Sequence, residues 1–506
     1  MRRQTLPIEG LPAWARLNDV VFHDVKVTRT EGKGYGMVSG TDLNVTDDTT
    51  DSPTLLAVPH ALVLNAEAVS EYAKEDKNFR QLLDAVGHGS TRTDALLFLL
   101  VQTVLASRSS HPAVGVSNPW TEYLKFLPET VLVPTLWTEE ERLLLRGTSL
   151  ETAVDAKISA LDAEFGLVRE KSSDIVGWND LLWGVEGASA VSFMDWIRLD
   201  ALYRSRCLEL PRSGESMVPC IDMINHSATP SAYYDENPRD EVVLRLRPGT
   251  TISRGDEITI NYGDAKSAAE MLFSYGFIDR ETAVNSLVLP LAPFPDDPLA
   301  KAKLVAFGEP PRIHVSRGRG DGAGAGEGTL APTRWTSPFA YLMCVNEEDG
   351  LEFRVLQQTD GEQQLRVFWQ DEDVTERTRD FETLVRTHPL AAVLRLRVVT
   401  VVEEALRAQL ERLRSAPAIP VPVPNGEQEG APAPRLREDC VRAAATLRDI
   451  EANILEDAIT VLDCEWCIIA SLLLTDENVV AYLGLTEAAE SGLASEEASN
   501  EPEDFS

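Results

Sequence analysis

The sequence MVPCIDMINHS occupies residues 217–227, and the sequence GDEITINYG follows at residues 255–263. In the second stretch Ile258, Ile260 and Tyr262 recur at every second position, which predicts one face of a β-strand. The first stretch is an apolar run that ends on the polar triplet Asn-His-Ser. The two stretches therefore predict two short strands, each ending on side chains that can bind or react.

The composition excludes several classes of protein. The chain has 506 residues, with 47 Lys and Arg against 81 Asp and Glu, and its formal net charge is −34. At roughly 100–200 residues per domain, this length predicts two or three domains, and a hydrophobic share of 43% supplies their cores. Because phosphate contacts need clustered Lys and Arg, the acidic balance argues against nucleic acid as a direct partner. The balance favours a basic partner or simple solubility.

Cysteine content and hydropathy bear on the compartment. Six Cys are too few for a disulfide scaffold, so we expect a reducing, intracellular environment. The start of the chain has neither the apolar core of a signal peptide nor a long leader rich in Ser and Arg. The apolar stretch at 95–106 is shorter than the roughly 20 residues that span a bilayer. Cys464 and Cys467 have CxxC spacing, but one pair inside an apolar run is weak ground for a metal site, and we predict none.

Periodicity divides the first half of the chain into regions. Residues from about 66 to 200 show helical patterns, including a capping box at 138–141. Residues 217–262 change to the period of two that is typical of strands. Ahead of both regions, Gly32, Gly34 and Gly36 stand at alternate positions. They indicate a tight turn or a backbone that lies close to another group.

The second half of the chain becomes helical again after residue 281. Two apolar stripes at helical spacing predict an antiparallel pair of long helices. Between them and ahead of them, a Pro-rich stretch within 415–436 and a Gly-rich stretch within 310–330 predict mobile loops. The final residues, 487–506, contain seven acids and no base, which predicts a disordered tail.

Three motifs together resemble the core of the SET-domain methyltransferases. They are the Asn-His-Ser triplet, the stretch at 255–263, and the sequence KGYGMV at 33–38, which stands where that domain has its first cofactor turn. The sequence PWTEYLKFLP at 119–128 further resembles the helical insert of the Rubisco large-subunit methyltransferase-like group. The resemblance covers about residues 20–280; beyond them it rests on length, helicity and position.

This resemblance implies an α+β fold. It places a β-rich SET domain at 20–280, with the inserted helical region at about 66–200, and a mostly α-helical substrate-binding domain at 281–486. It also implies a protein-lysine N-methyltransferase that uses S-adenosylmethionine on a non-histone protein, such as a ribosomal protein or a translation factor. Because the family also has a histidine-methylating branch, a protein-histidine methyltransferase is one alternative. A non-catalytic SET-fold binding protein is another alternative, because a fold does not entail an activity.

Methyl transfer to lysine needs a neutral amine, alignment and a dry channel, because the positive charge is already on the sulfonium. With a reference pKa near 10.4, about one lysine in two thousand is neutral at pH 7, a deficit of about 4.6 kcal/mol. An aromatic channel offsets part of this deficit by desolvating the amine and lowering its pKa. Tyr262, Tyr275 and Phe277 are the aromatic candidates. Tyr262 matches the family's active-site tyrosine, and we expect it to orient the amine rather than act as a base.

The resemblance also implies a set of cofactor contacts. Asn225 and His226 match the family's cofactor-binding pair, whose polar groups can donate and accept hydrogen bonds. Lys33 and Tyr35 match turn positions that hold the cofactor through main-chain groups. Phe277 is expected on the cofactor side as well as in the lysine channel.

Arg206 and Asp222 complete this cofactor set. Arg206 corresponds to a family arginine that pairs with the cofactor carboxylate or lines the lysine site, although Arg204 stands two residues away and leaves the register open. Asp222 either caps the same site or holds its strand. Residues 263–343 contain no Cys. The Cys-rich zinc segment of many histone-directed SET enzymes is therefore missing there, and we expect Phe277 and the C-terminal domain to close the lysine channel.

We expect a monomer in the cytoplasm, the nucleus or both, with a basic protein as substrate and no membrane partner. The sequence leaves open which protein is the substrate, which of its residues is the target and how many methyl groups that residue receives.

Overall fold

The chain folds into two units, each with its own hydrophobic core. The first unit comprises Met1–Leu145, Leu150–Ala283 and Pro420–Ala444, and the second comprises Arg146–Ser149, Val284–Ile419 and Ala445–Ser506. The computed structural model describes residues 4–46, 52–107, 116, 118–175, 177–183, 190–281, 283–317, 333–357, 363–416, 436–473 and 479–480.

The first unit combines short strands with a run of helices between the fifth and sixth strands. Its strands are β1 (Val21–Phe22), β2 (Val25–Thr30), β3 (Gly34–Ser39), β4 (Leu43–Asn44), β5 (Thr54–Pro59), β6 (Leu208–Leu210), β7 (Gly214–Ser216), β8 (Asn225–His226), β9 (Ala232–Glu236), β10 (Glu241–Leu246), β11 (Thr251–Ile252) and β12 (Glu257–Ile260). Its helices are α1 (Leu11–Leu17), α2 (Ala66–Glu75), α3 (Lys77–Val86), α4 (Thr91–Ser107), α5 (Pro119–Tyr123), α6 (Glu139–Arg142), α7 (Leu150–Ser173), α8 (Phe193–Arg204) and α9 (Ala268–Tyr275).

Strand β12 brings the two sequence motifs of the first unit together. It lies in a four-stranded sheet of order β2-β3-β12-β8, antiparallel to β3 and parallel to β8. The parallel register sets Asn225 opposite Thr259 and His226 opposite Ile260. A second four-stranded sheet has the order β1-β5-β10-β9, and the pairs β4–β11 and β6–β7 complete the strands of this unit.

Local sequence explains most of these elements. Ile258 and Ile260 are buried, as their period of two predicts. In α4, every residue from 95 to 104 is buried, which accounts for a helix that is apolar on all sides. Helix α6 starts at the predicted capping box, where Thr138 Oγ1 accepts from the Glu141 backbone and the Glu141 carboxylate accepts from the Thr138 backbone.

The second unit contains the two predicted long helices and, in addition, two small sheets. Its strands are β13 (Ser286–Pro290), β14 (Arg312–Arg317), β15 (Thr333–Thr336), β16 (Leu351–Gln357), β17 (Gln363–Trp369) and β18 (Glu372–Asp373). Its helices are α10 (Ala300–Phe307), α11 (Pro338–Met343), α12 (Phe381–Val385), α13 (Ala391–Ser415) and α14 (Glu438–Leu473), of which α14 begins in the residues assigned to the first unit. The sheets have the orders β13-β14-β15 and β16-β17-β18, and the sequence did not predict them.

One predicted loop needs correction. Residues 312–317 belong to the predicted loop 310–330 but form β14, because Ile313 and Val315 alternate with exposed residues and pack into the core of the second unit. The rest of that loop from residue 318, residues 417–435 of the second predicted loop and the predicted tail 487–506 lie outside the described residues.

Neither a membrane span nor a metal cluster occurs in the described ranges. No helix there is long and apolar enough to cross a membrane. No three or more His, Cys, Asp or Glu side chains there are grouped to hold a metal ion. Cys464 and Cys467 are free thiols at exposed positions of α14.

A buried carboxylate joins three helices of the first unit. Asp200 of α8 is fully buried, with Arg92 Nη1 of α4 at 3.0 Å, Lys157 Nζ of α7 at 2.9 Å and Arg204 Nη2 at 3.3 Å from its oxygens. Glu164 of α7 also contacts Arg92. Burying a charge costs several kcal/mol unless partners compensate it, so the cluster holds only while all its members are present.

We predict that Asp200→Asn destabilises the protein by about 3–5 kcal/mol, because three cations lose their shared counter-charge. Urea unfolding of the full chain measures the loss. The matched control is Glu71→Gln, which removes an exposed contact with Lys74 and is expected to cost less than about 1 kcal/mol. Equal losses in the two variants would show that the cluster is not important for stability.

Candidate active site

Beyond the end of β12, a cavity of about 660 Å³ opens in the first unit. Four of the predicted site residues line it: Tyr262, Tyr275, Arg206 and Asp222. The remaining predicted residues are absent from the cavity lining among the described residues, and most of them lie around β3 and β8. The structure therefore divides the predicted site into two groups.

Tyr262 belongs to the cavity and also touches the second group. Its hydroxyl donates to the Ile224 carbonyl at 2.7 Å, and its backbone N–H donates to His226 Nδ1 at 3.1 Å. Burial raises the pKa of Tyr262 to about 12. The phenol is therefore protonated at neutral pH and can donate or accept a hydrogen bond, but it does not act as a base there.

Three rings surround the ring of this tyrosine. Its ring centroid lies 4.8 Å from that of Tyr275, 5.2 Å from that of His226 and 6.3 Å from that of Phe277. The Tyr275 hydroxyl donates to the Tyr262 carbonyl at 3.2 Å. The predicted aromatic residues thus do meet, with ring spacings typical of tilted and edge contacts.

His226 is held as a neutral ring. Because Nδ1 accepts from the Tyr262 backbone, the neutral imidazole carries its proton on Nε2, which lies 3.4 Å from Asp279 Oδ2. Burial lowers the pKa of His226, although Asp279 opposes the effect. The ring is therefore an N–H donor and not a cation at neutral pH.

The second group forms around Glu257, a residue of the stretch at 255–263 for which the sequence predicted no role. Glu257 Oε1 accepts from Asn225 Nδ2 at 2.7 Å, and Glu257 Oε2 accepts from Lys33 Nζ at 2.8 Å. Asn225 Nδ2 also lies 3.3 Å from the Tyr35 carbonyl. The glycine-rich turn and the Asn-His pair, almost 200 residues apart in sequence, therefore meet here. Glu257 directly precedes Ile258 in the sequence, and this position at the start of the predicted strand was the one sign that it could belong to the site.

Gly36 permits this close approach. A Cβ atom at that position would lie 2.7 Å from both Asn225 Nδ2 and Glu257 Oε1. A side chain would therefore displace the two polar groups, which explains why glycine stands in β3. The close approach that the alternating glycines predict is thus present at Gly36, whereas Gly32 and Gly34 have positive φ and open space around the Cβ position, as in a tight turn.

The two candidate arginines have different partners. Arg204 contacts buried Asp200, donates to the Phe273 carbonyl and donates to Thr135 Oγ1 at 3.1 Å, so its donors are engaged in packing. Arg206 Nη1 donates to the Asp222 carbonyl at 2.7 Å and lies 3.4 Å from Asp222 Oδ2. Both line the cavity, but only Arg206 contacts another predicted site residue.

Acidic residues outnumber basic ones around the cavity. The carboxylic acids of its lining are Glu209, Glu215, Asp222, Asp264 and Glu270, and the basic residues are Arg204, Arg206 and Lys266. Burial raises the pKa of Asp222, an effect that Arg206 opposes. Burial likewise raises the pKa of the Cys207 thiol to about 12, so this thiol stays neutral. The lining suits a cationic group better than an anionic one.

Comparison with known proteins shows which sequences this chain resembles. No protein-family model matches the sequence. "SET domain-containing protein 8" of Schizosaccharomyces pombe is 29% identical over 372 residues, which cover 71% of this chain and 78% of that protein. The Rubisco large-subunit N-methyltransferase of Pisum sativum is 26% identical over 56% of each chain.

The sequence is thus similar to those of named SET-domain proteins and lysine methyltransferases. Solved structures agree with this on the fold. A Rubisco methyltransferase SET domain bound to lysine and AdoHcy matches with a TM-score of 0.61 and 19% identity, over 91% of this chain and 92% of that one. The same enzyme bound to AdoMet matches with a TM-score of 0.60 and 18% identity, over 92% and 93%.

The comparisons confirm the predicted resemblance and the predicted α+β class. Curated relatives are named as lysine methyltransferases, and the solved neighbours hold AdoMet or AdoHcy, which bears out the predicted class of enzyme and its cofactor. The roles of individual site residues stay predictions.

Gly276 fixes the two aromatic residues beside it. It ends α9 in the left-handed region with φ of +84°, and a Cβ there would lie 2.7 Å from the Leu132 carbonyl carbon. Tyr275 and Phe277 flank it directly. An added side chain would therefore push against backbone that cannot rotate away.

We predict that Gly276→Ala is more destabilising than Gly255→Ala. Both glycines have positive φ, at +84° and +93°, so each variant incurs roughly 1–2 kcal/mol of backbone strain. Gly255 has open space around its Cβ position, so only Gly276→Ala adds a clash. Urea unfolding compares them, and equal losses would mean that the contact with Leu132 does not constrain α9.

Proposed function

We propose that this chain is an S-adenosylmethionine-dependent protein-lysine N-methyltransferase that acts on a non-histone protein. The observation that carries the proposal is the position of Tyr262. Its side chain lines the acid-rich cavity, and its ring and backbone contact His226, which pairs on β12 beside the glycine-rich strand. A residue placed between two sites in this way can contact groups bound in both.

The residues around β3 and β8 fit S-adenosylmethionine. Gly36 lets Asn225 and Glu257 lie close against the backbone of β3, and these side chains bring a donor and acceptors beside it, which suits the polar edges of a nucleoside. We assign Lys33, Tyr35, Asn225 and His226 to this side, with Phe277 as an aromatic wall. When bound, the cofactor supplies an activated methyl group on a positively charged sulfur.

The cavity on the other side of Tyr262 suits the target lysine. Tyr262 and Tyr275 supply aromatic walls, and the excess of carboxylates attracts an ammonium group. Since Arg206 and Asp222 line this cavity, we place both with the lysine; for Arg206 this favours the second of its two predicted roles.

The residues of the chain then have defined tasks. The carboxylates bind the ammonium form, and the aromatic walls favour loss of its proton to water by desolvating the amine. Tyr262 stays protonated and donates a hydrogen bond to the Ile224 carbonyl, so the lone pairs of its oxygen remain able to accept from the amine and orient it. Orientation and exclusion of water account for the catalytic contribution of the protein.

A basic protein is the substrate we propose. The net charge of −34 and the acidic cavity both favour a basic partner. Among curated relatives, the "Ribosomal lysine N-methyltransferase set10" of Schizosaccharomyces pombe is 23% identical over 36% of this chain and 32% of that protein. A ribosomal protein or a translation factor fits these features, and we propose a monomeric enzyme of the cytoplasm or the nucleus.

Transfer of labelled methyl from S-adenosylmethionine to an extract of cells lacking this gene product tests the proposal. We expect labelled lysine in a basic protein, located by mass mapping of the product. Labelled histidine would support the methyltransferase activity but identify histidine rather than lysine as the target residue. If the chain labels no protein and calorimetry detects no cofactor binding, the enzyme proposal fails and the binding-protein alternative takes its place.

Tyr262→Phe is expected to lower the labelling rate at least tenfold and to change cofactor affinity by less than about twofold. A tenfold loss corresponds to about 1.4 kcal/mol of transition-state stabilisation. The rate is measured with the extract, and the affinity by calorimetry. Tyr233→Phe is the control, since Tyr233 lies on β9 outside the cavity lining. Equal losses of rate and affinity would make Tyr262 a structural residue.

We predict that the labelling rate falls as the salt concentration rises from low to moderate. Attraction between an acidic enzyme and a basic protein is screened over roughly 10 Å at 0.1 M ionic strength. Calorimetry of the cofactor at the same salt concentrations separates this effect from weaker cofactor binding. A rate that does not respond to salt would mean that the charge of −34 serves solubility alone.

A further inference from the structure

We propose that Tyr123, on α5, is a positioning residue that holds Asp222 and through it Arg206 in the cavity. The proposal rests on the proposed function and adds a residue to it. Tyr123 belongs to the sequence motif at 119–128 and is absent from the cavity lining among the described residues. Its influence would therefore pass through the groups that it contacts.

The Tyr123 hydroxyl holds the segment before β8 at two points. It accepts from the Cys220 backbone N–H at 2.7 Å and donates to Asp222 Oδ1. Cys220 has a φ of +70°, in the left-handed region that non-glycine residues rarely adopt. A backbone conformation of this kind persists where surrounding contacts enforce it, and the hydroxyl of Tyr123 is such a contact.

Two cavity residues contact the same segment. Arg206 Nη1 donates to the Asp222 carbonyl and lies near its carboxylate, and Tyr262 donates to the Ile224 carbonyl. Within five consecutive residues, from Cys220 to Ile224, the segment thus contacts the helical insert, the cavity arginine and the candidate catalytic tyrosine. A shift at Tyr123 would be passed to both cavity groups.

The charge of Asp222 depends on these neighbours. The groups that face its carboxylate are the Tyr123 phenol, the Arg206 guanidinium, the Cys220 thiol and the Tyr262 phenol. Burial raises its pKa, while Arg206 and the hydrogen bond from Tyr123 lower it. Removing the Tyr123 hydroxyl would therefore favour the protonated acid and leave Arg206 with a weaker counter-charge.

Tyr123→Phe tests this role, because the ring would keep its contacts with Trp14 and Trp120 and lose only the hydroxyl. Tyr72→Phe is the matched control. Tyr72 is also buried, and its hydroxyl also accepts from a backbone N–H, that of Val116 at 3.2 Å, and faces the carboxylate of Asp76 at 3.4 Å. It does not line the cavity.

The readouts are the pH profile of extract labelling by the full chain, cofactor affinity by calorimetry and the melting temperature. For Tyr123→Phe we expect at least a tenfold lower rate at pH 7. We also expect the acidic limb of the profile at least half a unit higher, because less Asp222 is ionised at a given pH. Tyr72→Phe, at a comparable melting temperature, is expected to keep the wild-type profile.

An unchanged profile in Tyr123→Phe, beside a wild-type chain that labels the extract, would overturn this inference and leave the proposed function intact. Equal effects in the two tyrosine variants would also overturn it, since they would mark a general loss of stability. A wild-type chain that labels nothing would overturn the proposed function, and this inference with it.

Discussion

The parallel pairing of β8 with β12 is the contact on which the candidate site depends. It is short, with Asn225 opposite Thr259 and His226 opposite Ile260. This pairing places the Tyr262 backbone N–H where it donates to His226, and the Tyr262 hydroxyl where it donates to the Ile224 carbonyl. Two strand residues cannot hold such a site alone, because a parallel ladder of this length contains few hydrogen bonds.

Side chains supply the rest of the support. Glu257 contacts both Lys33 and Asn225 and so ties the turn before β3 to β8. Asp222 contacts the insert and the cavity arginine. The site is thus braced by two carboxylates, one near each of the places where the proposal puts a ligand. Polar networks of this kind specify one arrangement only when their members are satisfied.

Much of this could be read from sequence where the signal is local. The face of β12, the start of α6 and the two long helices each follow from spacing or a cap within a few residues. The pairing of β8 with β12 could not, because a two-residue strand has no period, and only the resemblance to a family joined the two motifs. The sheets of the second unit were not predicted for a similar reason: β13 alternates over only five residues, and its partner β14 follows a helix.

The choice between Arg204 and Arg206 also lay beyond the sequence. The two residues share a type and a neighbourhood, and only their partners separate them: Arg204 contacts Asp200, a buried acid one helical turn earlier, and Arg206 contacts Asp222. The overall charge of −34 was similarly ambiguous. The cavity locates part of this acidic excess, because carboxylates outnumber cations in its lining. A charge excess at the candidate lysine site bears on function in a way that an excess spread over the surface does not.

The central claim is that Tyr262 stands between the cofactor and the target lysine. A crystal structure of the full chain with S-adenosylhomocysteine tests it most directly. We predict the nucleoside beside Asn225 and His226, the sulfur directed towards the Tyr262 hydroxyl, and the 660 Å³ cavity free for lysine. Density for the ligand inside that cavity, between Tyr275 and Arg206, would contradict the claim.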